Sequence, residues 1–180
     1  PNGDTGTLLL DPTDLTISSS ADANLDGDGS LGDPFAPNAA DLTSVLNITT
    51  LQTALTSANV VVSTVGSPDT IGEAGDITIA NTFGWFTDRT LTLEAAGSID
   101  INQGVEVIAS SGNLVLNAAD SITQNSTGNT SRLRIAGTTS LSATSGSIAL
   151  ASTANEFTGS VSAAAGDAIT LTNNRNLTLG

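Results

Sequence analysis

Between Arg89 and Gly137 apolar residues fall two apart in short bursts, and this pattern constrains the chain more than anything else in it. The pairs are Leu91 and Leu93, Ile99 and Ile101, Val105 and Val107, Leu114 and Leu116, and Leu133 and Ile135, separated by stretches that contain Gly, Ser, Asn or Asp. A period of two puts alternate side chains on one face of a strand, and no helix keeps it. The bursts also recur. Leu91 to Leu114 is 114 − 91 = 23 residues, and Ile99 to Ile122 is 122 − 99 = 23. A fixed period of that size, holding about three short strands, is what a parallel β-solenoid needs, because each coil buries its inward residues against the coils beside it. The chain is therefore read as all-β, with one continuous parallel β-helix over residues 59–180.

Composition narrows what such a solenoid does. Only 3% of residues are aromatic, so the core must be built from Leu, Ile, Val and Ala. Four basic residues, all Arg (Arg89, Arg132, Arg134 and Arg175), stand against 18 acidic ones, a net charge of −14. Such a surface repels phosphate backbones, so nucleic acid is not an expected partner; it suits either divalent cations as partners or simply the solubility of an exported or salt-tolerant protein. The chain has no Cys and no His. Disulfides, thiolate metal sites and imidazole general bases are thereby excluded. The stretch NRNLTLG at the end reads as the middle of a repeat, and the sequence is expected to be a piece of a longer chain.

Residues 1–40 are read as a first coil followed by an inserted loop. GTLLLDPTDLTI, residues 6–17, suggests two strands around a corner at Asp11-Pro12, since the residue before Pro prefers extended backbone. Residues 18–38 lose all periodicity. Within them Asp22, Asn24, Asp26, Gly27, Asp28, Ser30 and Asp33 occupy positions 1, 3, 5, 6, 7, 9 and 12 of a calcium loop of the EF-hand kind. Oxygen ligands on alternating residues let a chain curl round an ion, and the Gly permits the sharp turn. Position 12 is Asp instead of the longer Glu, and position 8 is Gly29 where an apolar residue is usual. The set is thus either a Ca2+ site, with ligands Asp22, Asn24, Asp26, Asp28, Ser30 and Asp33, or an acidic surface turn.

Residues 41–58 hold the helical candidate. Leu51 and Leu55 lie four apart, Ala54 and Ala58 flank the same stripe, and Asn47 or Thr49 is placed to cap the start. A helix there is expected to pad the solenoid and hide apolar surface. Further on, Phe83, Trp85 and Phe86 cluster at one corner. They are either an exposed platform for stacking sugar rings or a plug packed against the next coil. Asn102, Asn117 and Asn125 suggest a ladder of stacked amides at strand ends. Of four Asn-x-Ser/Thr glycosylation patterns, Asn125 and Asn129 are the accessible candidates because they fall in a turn.

The succession LQTAL, NVVVSTV, GDITI, a Trp before TLTLEA, then GSIDIN and GNLVLNAADSITQ resembles the large exported adhesins of the filamentous haemagglutinin kind. The match runs over residues 41–124, and the rest follows in general style. The resemblance implies a right-handed parallel β-helix and secretion by the two-partner route through an outer-membrane barrel. It further implies a place at the bacterial cell surface or outside it, in an adhesin or fibre that meets host or neighbouring-cell surfaces. It brings no catalytic residues with it.

Two function classes follow. The first is a non-enzymatic segment of a secreted or surface fibre, a stiff rod whose coils lie about 4.8 Å apart and whose ends invite head-to-tail stacking. The second is a carbohydrate-active enzyme or polysaccharide-binding module on the same scaffold, with paired carboxylates as acid and base. Asp76, Asp100 and Asp120 recur at coil-like intervals as outward residues with no Arg in their strands, which favours the first.

Overall fold

Residues one period apart are cross-strand neighbours: Leu91 lies beside Leu114 and Ile99 beside Ile122, both in parallel register. The computed structural model describes residues 13–38, 44–66 and 74–180. Its first elements are β1 (Leu15–Ser18), a ribbon of β2 (Leu25–Asp26) and β3 (Ala36–Pro37), then β4 (Ser44–Asn47), α1 (Ile48–Leu55) and β5 (Val60–Ser63). Three-strand coils follow. The first is β6 (Ile77–Ile79), β7 (Phe83–Trp85) and β8 (Thr90–Ala95), and the second β9 (Ile99–Ile101), β10 (Glu106–Ala109) and β11 (Asn113–Ala118). The third is β12 (Ile122–Gln124), β13 (Arg132–Ile135) and β14 (Thr139–Ala143), and the fourth β15 (Ile148–Leu150), β16 (Glu156–Phe157) and β17 (Ser160–Ala165). β18 (Ile169–Leu171) and β19 (Thr178–Leu179) end the stack.

These strands build three parallel walls. The first wall runs β4, β1, β6, β9, β12, β15, β18; the second β7, β10, β13, β16; the third β5, β8, β11, β14, β17, β19. The expected parallel β-solenoid is thus the fold. Inside, Leu15, Ile77, Ile99, Ile122 and Ile148 form one buried column and Val62, Leu93, Leu116 and Leu141 another. Burying each such side chain is worth about 1.5–3 kcal/mol before entropy is counted. Because the columns are continuous, each coil stabilises the next.

The period is not constant, and the core shows why. Ile122 pairs with Ile148, a step of 148 − 122 = 26. The turn between β12 and β13 is three residues longer, seven (125–131) where the coil before has four (102–105), and the one residue lost before β14 is regained before β15. Gln124, Ser131, Ser152 and Asn155 are buried behind this turn; the Ser131 hydroxyl donates to Asn125 O and the Ser152 hydroxyl to Ser131 O, while Gln124 Oε1 accepts from the Ser152 N–H.

Three expectations change. The helix is shorter than residues 41–58: Ser44–Asn47 is a strand, paired with β1 from Leu15↔Ser44 to Ser18↔Asn47. Asn47 ends that strand and caps the helix, its Oδ1 accepting from the Thr49 N–H at 2.7 Å. Asn102, Asn117 and Asn125 form no common amide ladder, since Asn117, next to last in β11, stands opposite Glu94 and Ser142 on a different wall. The corner entering the first wall uses other acceptors. Asp14 takes the Asp76 N–H, Asp76 the Ser98 N–H, Ser98 that of Ser121, and Ser121 that of Ser147. The proposed strand and corner at residues 6–12 lie outside the described residues.

Candidate functional site

The acidic loop, α1 and β4 together close one end of the solenoid. An open sheet edge presents unpaired N–H and C=O groups, which must be covered or left as a template for other chains. Each wall is covered differently here. On the first wall, Ala23 exchanges backbone hydrogen bonds with Val45 of β4, 3.0 and 2.9 Å. On the second, α1 lies over β7, and Gln52 Nε2 donates to the Gly84 carbonyl oxygen at 2.7 Å. On the third, Phe35 runs beside Val62, its N–H bonded to Val61 O and its carbonyl taking the Ser63 N–H. Leu51 and Leu55 press into the core, which is why this short helix holds its place.

The six residues expected to ring a calcium ion are deployed as structural groups. Asp22 Oδ1 accepts from the Asn47 N–H at 2.6 Å and Oδ2 from the Thr50 hydroxyl at 2.6 Å, which ties the loop to the start of α1. The Asn24 carbonyl accepts from Ser44 Oγ and from the Asn38 N–H. Asp26 Oδ1 takes the Gly27 N–H, Asp28 Oδ1 takes that of Ser30, and the Asp33 carbonyl takes those of Asp28 and Gly29. The Ser30 backbone N–H, then its hydroxyl, holds the Asp28 carboxyl below the usual carboxylate range. Among the described residues no group of three or more acidic side chains converges where it could hold a metal ion. Both carboxylate oxygens of Asp22 are engaged at the start of α1. The glycines are what both arrangements share: Gly27 (φ 86°) and Gly29 (φ 84°) take left-handed turns.

The aromatic corner divides in two. Phe83 and Trp85 alternate on β7 and point inward, each 3% exposed, with ring centroids 6.2 Å apart. A three-ring glycan platform is therefore not present, because the strand's period of two buries the first two rings. Phe86, one residue beyond Trp85, falls on the outer face and is 82% exposed. It stands at an open cleft of about 180 Å3 between α1 and the turn into β8, lined also by Gln52, Leu55, Thr56, Gly84, Trp85 and Thr87. Trp85 Nε1 donates to Arg89 O at 2.9 Å, and the Thr87 hydroxyl donates to Leu55 O at 2.6 Å.

The second wall carries a strip of charge that sequence reading missed. Arg132 and Arg134 both reach Glu106, the latter at 3.8 Å, while Arg134 at 3.2 Å and Arg175 reach Glu156. Three guanidiniums and two carboxylates thus zigzag across four successive coils. The signal was present in the spacing, since Glu106↔Arg132 and Arg134↔Glu156 are register partners. Asn125 and Asn129 are exposed in the seven-residue turn, with Asn129 in the left-handed region at φ 55°. Asn129 Oδ1 accepts from the Thr153 N–H of the next coil.

Residues 87–164, from the turn before β8 to the penultimate residue of β17, match a family described as repeats of unknown function (DUF5649). No curated protein and no solved structure matches the chain.

Proposed function

We propose that this chain is a non-enzymatic segment of a secreted or cell-surface bacterial fibre or adhesin, holding attachment regions on a rigid rod. The observation that carries the proposal is the unbroken parallel register of the first wall, seven strands deep. At about 4.8 Å per strand, its six steps span about 29 Å. Stacking of this kind turns chain length into reach, because every coil adds the same rise and contacts only its neighbours. The acidic surface suits a rod that must stay dispersed. Export through an outer-membrane barrel fits the same design, since coils that contact only adjacent coils fold as they emerge.

Electron microscopy of native full-length material from the source cells tests this. Thin rods are the expected result, and compact particles would remove the proposal and bring carbohydrate-active chemistry forward.

A further inference from the structure

We infer that the cleft beside Phe86 binds an uncharged, hydroxyl-rich ring, a pyranose unit of a neutral polysaccharide. The inference deepens the attachment role proposed above and rests on it for its biological setting, although binding itself belongs to this chain alone.

Phe86 offers a nearly bare aromatic face, which packs well on the C–H face of a sugar ring. The floor of the cleft is mostly apolar, with Leu55 and Trp85 beside Phe86, and the polar side chains at its rim, Gln52, Thr56 and Thr87, carry no charge. The Thr56 and Thr87 hydroxyls commit their single protons to Thr53 O and Leu55 O, so what they turn outward is lone pairs. Gln52 holds Gly84 O through its amide nitrogen and keeps its carbonyl oxygen as an acceptor. A rim of acceptors selects a ligand that donates, as sugar hydroxyls do. Carboxylate, sulfate and phosphate groups bring only more acceptors, and the net charge of −14 repels them as well. An apolar side chain from another protein would leave these acceptors dry and unpaired, which is costly. Size agrees: about 180 Å3 lies below the roughly 300–1,000 Å3 of a drug-sized site and accommodates one ring, with the rest of the polymer lying across the outer face.

The site contains its own reporter, because Trp85, the chain's one tryptophan, lines the cleft. The 180-residue chain is titrated with uncharged hexasaccharides of glucan, mannan, galactan and xylan, and with hexagalacturonate, while Trp85 emission is followed. A saturable change with at least one neutral hexasaccharide and none with hexagalacturonate is expected. Phe86→Ala, at an exposed position that leaves the fold intact, is expected to weaken binding about tenfold or more, and Phe86→Tyr to retain it. The inference is overturned by silence across all four neutral sugars, by equal binding in Phe86→Ala, or by preference for hexagalacturonate. It is also overturned if Phe86→Ala abolishes self-association of the chain in the absence of sugar, which would assign the cleft to a second copy. Rods in electron micrographs with no sugar response would defeat this inference alone; a Phe86-dependent sugar response with compact particles would defeat the rod and keep the cleft.

Discussion

Gln124 and Asn155 exchange hydrogen bonds in both directions inside the solenoid, Gln124 Nε2 to Asn155 Oδ1 and Asn155 Nδ2 to Gln124 Oε1, each at 2.9 Å. Asn155 Oδ1 also takes the Leu133 N–H, at 2.9 Å. The pair seats the seven-residue turn between β12 and β13, alongside buried Ser131 and Ser152. Asn155→Ala strands the Gln124 amide and a buried backbone N–H, and is expected to lower stability by roughly 2–3 kcal/mol in urea unfolding. Gln124→Leu with Asn155→Leu should lose less than the two single changes summed; an additive result would mean that the two amides act independently.

Close approach of coils depends on particular glycines. A Cβ at Gly112 would lie 2.0 Å from Trp85 Nε1 and 2.5 Å from Arg89 O, whereas one at Gly32 would meet nothing within 4 Å. Gly112→Ala is therefore expected to displace the indole, shift Trp85 emission to the red and lower the Tm, while Gly32→Ala leaves both unchanged. Unaltered emission in Gly112→Ala would show that the indole does not pack there.

Asp22 separates a structural loop from an ion-binding one. Asp22→Ala removes two hydrogen bonds at the start of α1 and is expected to cost about 1 kcal/mol. The loss should be equal in calcium and in chelator. A loss seen only with calcium would return the loop to ion binding.

The charge strip on the second wall should contribute little and respond to salt. Glu156→Gln leaves Arg134 and Arg175 without their shared partner, and is expected to cost no more than about 1 kcal/mol in dilute buffer. In about 1 M salt, where the screening length is about 3 Å, the difference should vanish. A cost that persists unscreened would point to packing by the side-chain stems instead.

Asp28 sets a pH response in the closed end. Its carboxyl is lowered in the folded chain by the Ser30 N–H and then by the Ser30 hydroxyl. A lowered folded pKa gives stability that is present above the unfolded value and lost as pH falls through the folded one. Carboxyl NMR titration should place the Asp28 midpoint below the ordinary aspartate value of about 3.9. Ser30→Ala should raise it only part of the way, because the backbone bond remains. A midpoint at the ordinary value would remove the Asp28–Ser30 turn.

The stack was legible because its information is local and repeated. Leu91 and Leu114 announce their pairing by spacing alone, and so do Ile99 and Ile122. The closed end was not legible, since its partners are distant and unique. Ser44 to Asn47 alternate like any strand, but Leu51 and Leu55 close behind drew the helical assignment back across them. The Asp and Gly alternation of residues 22–33 serves a cap as well as an ion, because both need tight left-handed turns, and composition cannot separate them. For the aromatic corner the signal was present: Phe83 and Trp85 are two apart and so share the inward face, which leaves Phe86 outside.

The far end differs from the closed one. Of β17 only Val161 is buried, while Ile169 is 47% and Leu179 76% exposed.

The order of strands in the first wall also has a mechanical meaning. β1 precedes β4 in the chain but lies between β4 and β6, joined to the first through four register pairs and to the second through three. A pull applied near Thr13 along the strand therefore cannot peel the rod open one hydrogen bond at a time. It must slide β1 out of two ladders at once, so the end that α1 and the acidic loop close against solvent is also a shear clamp against tension.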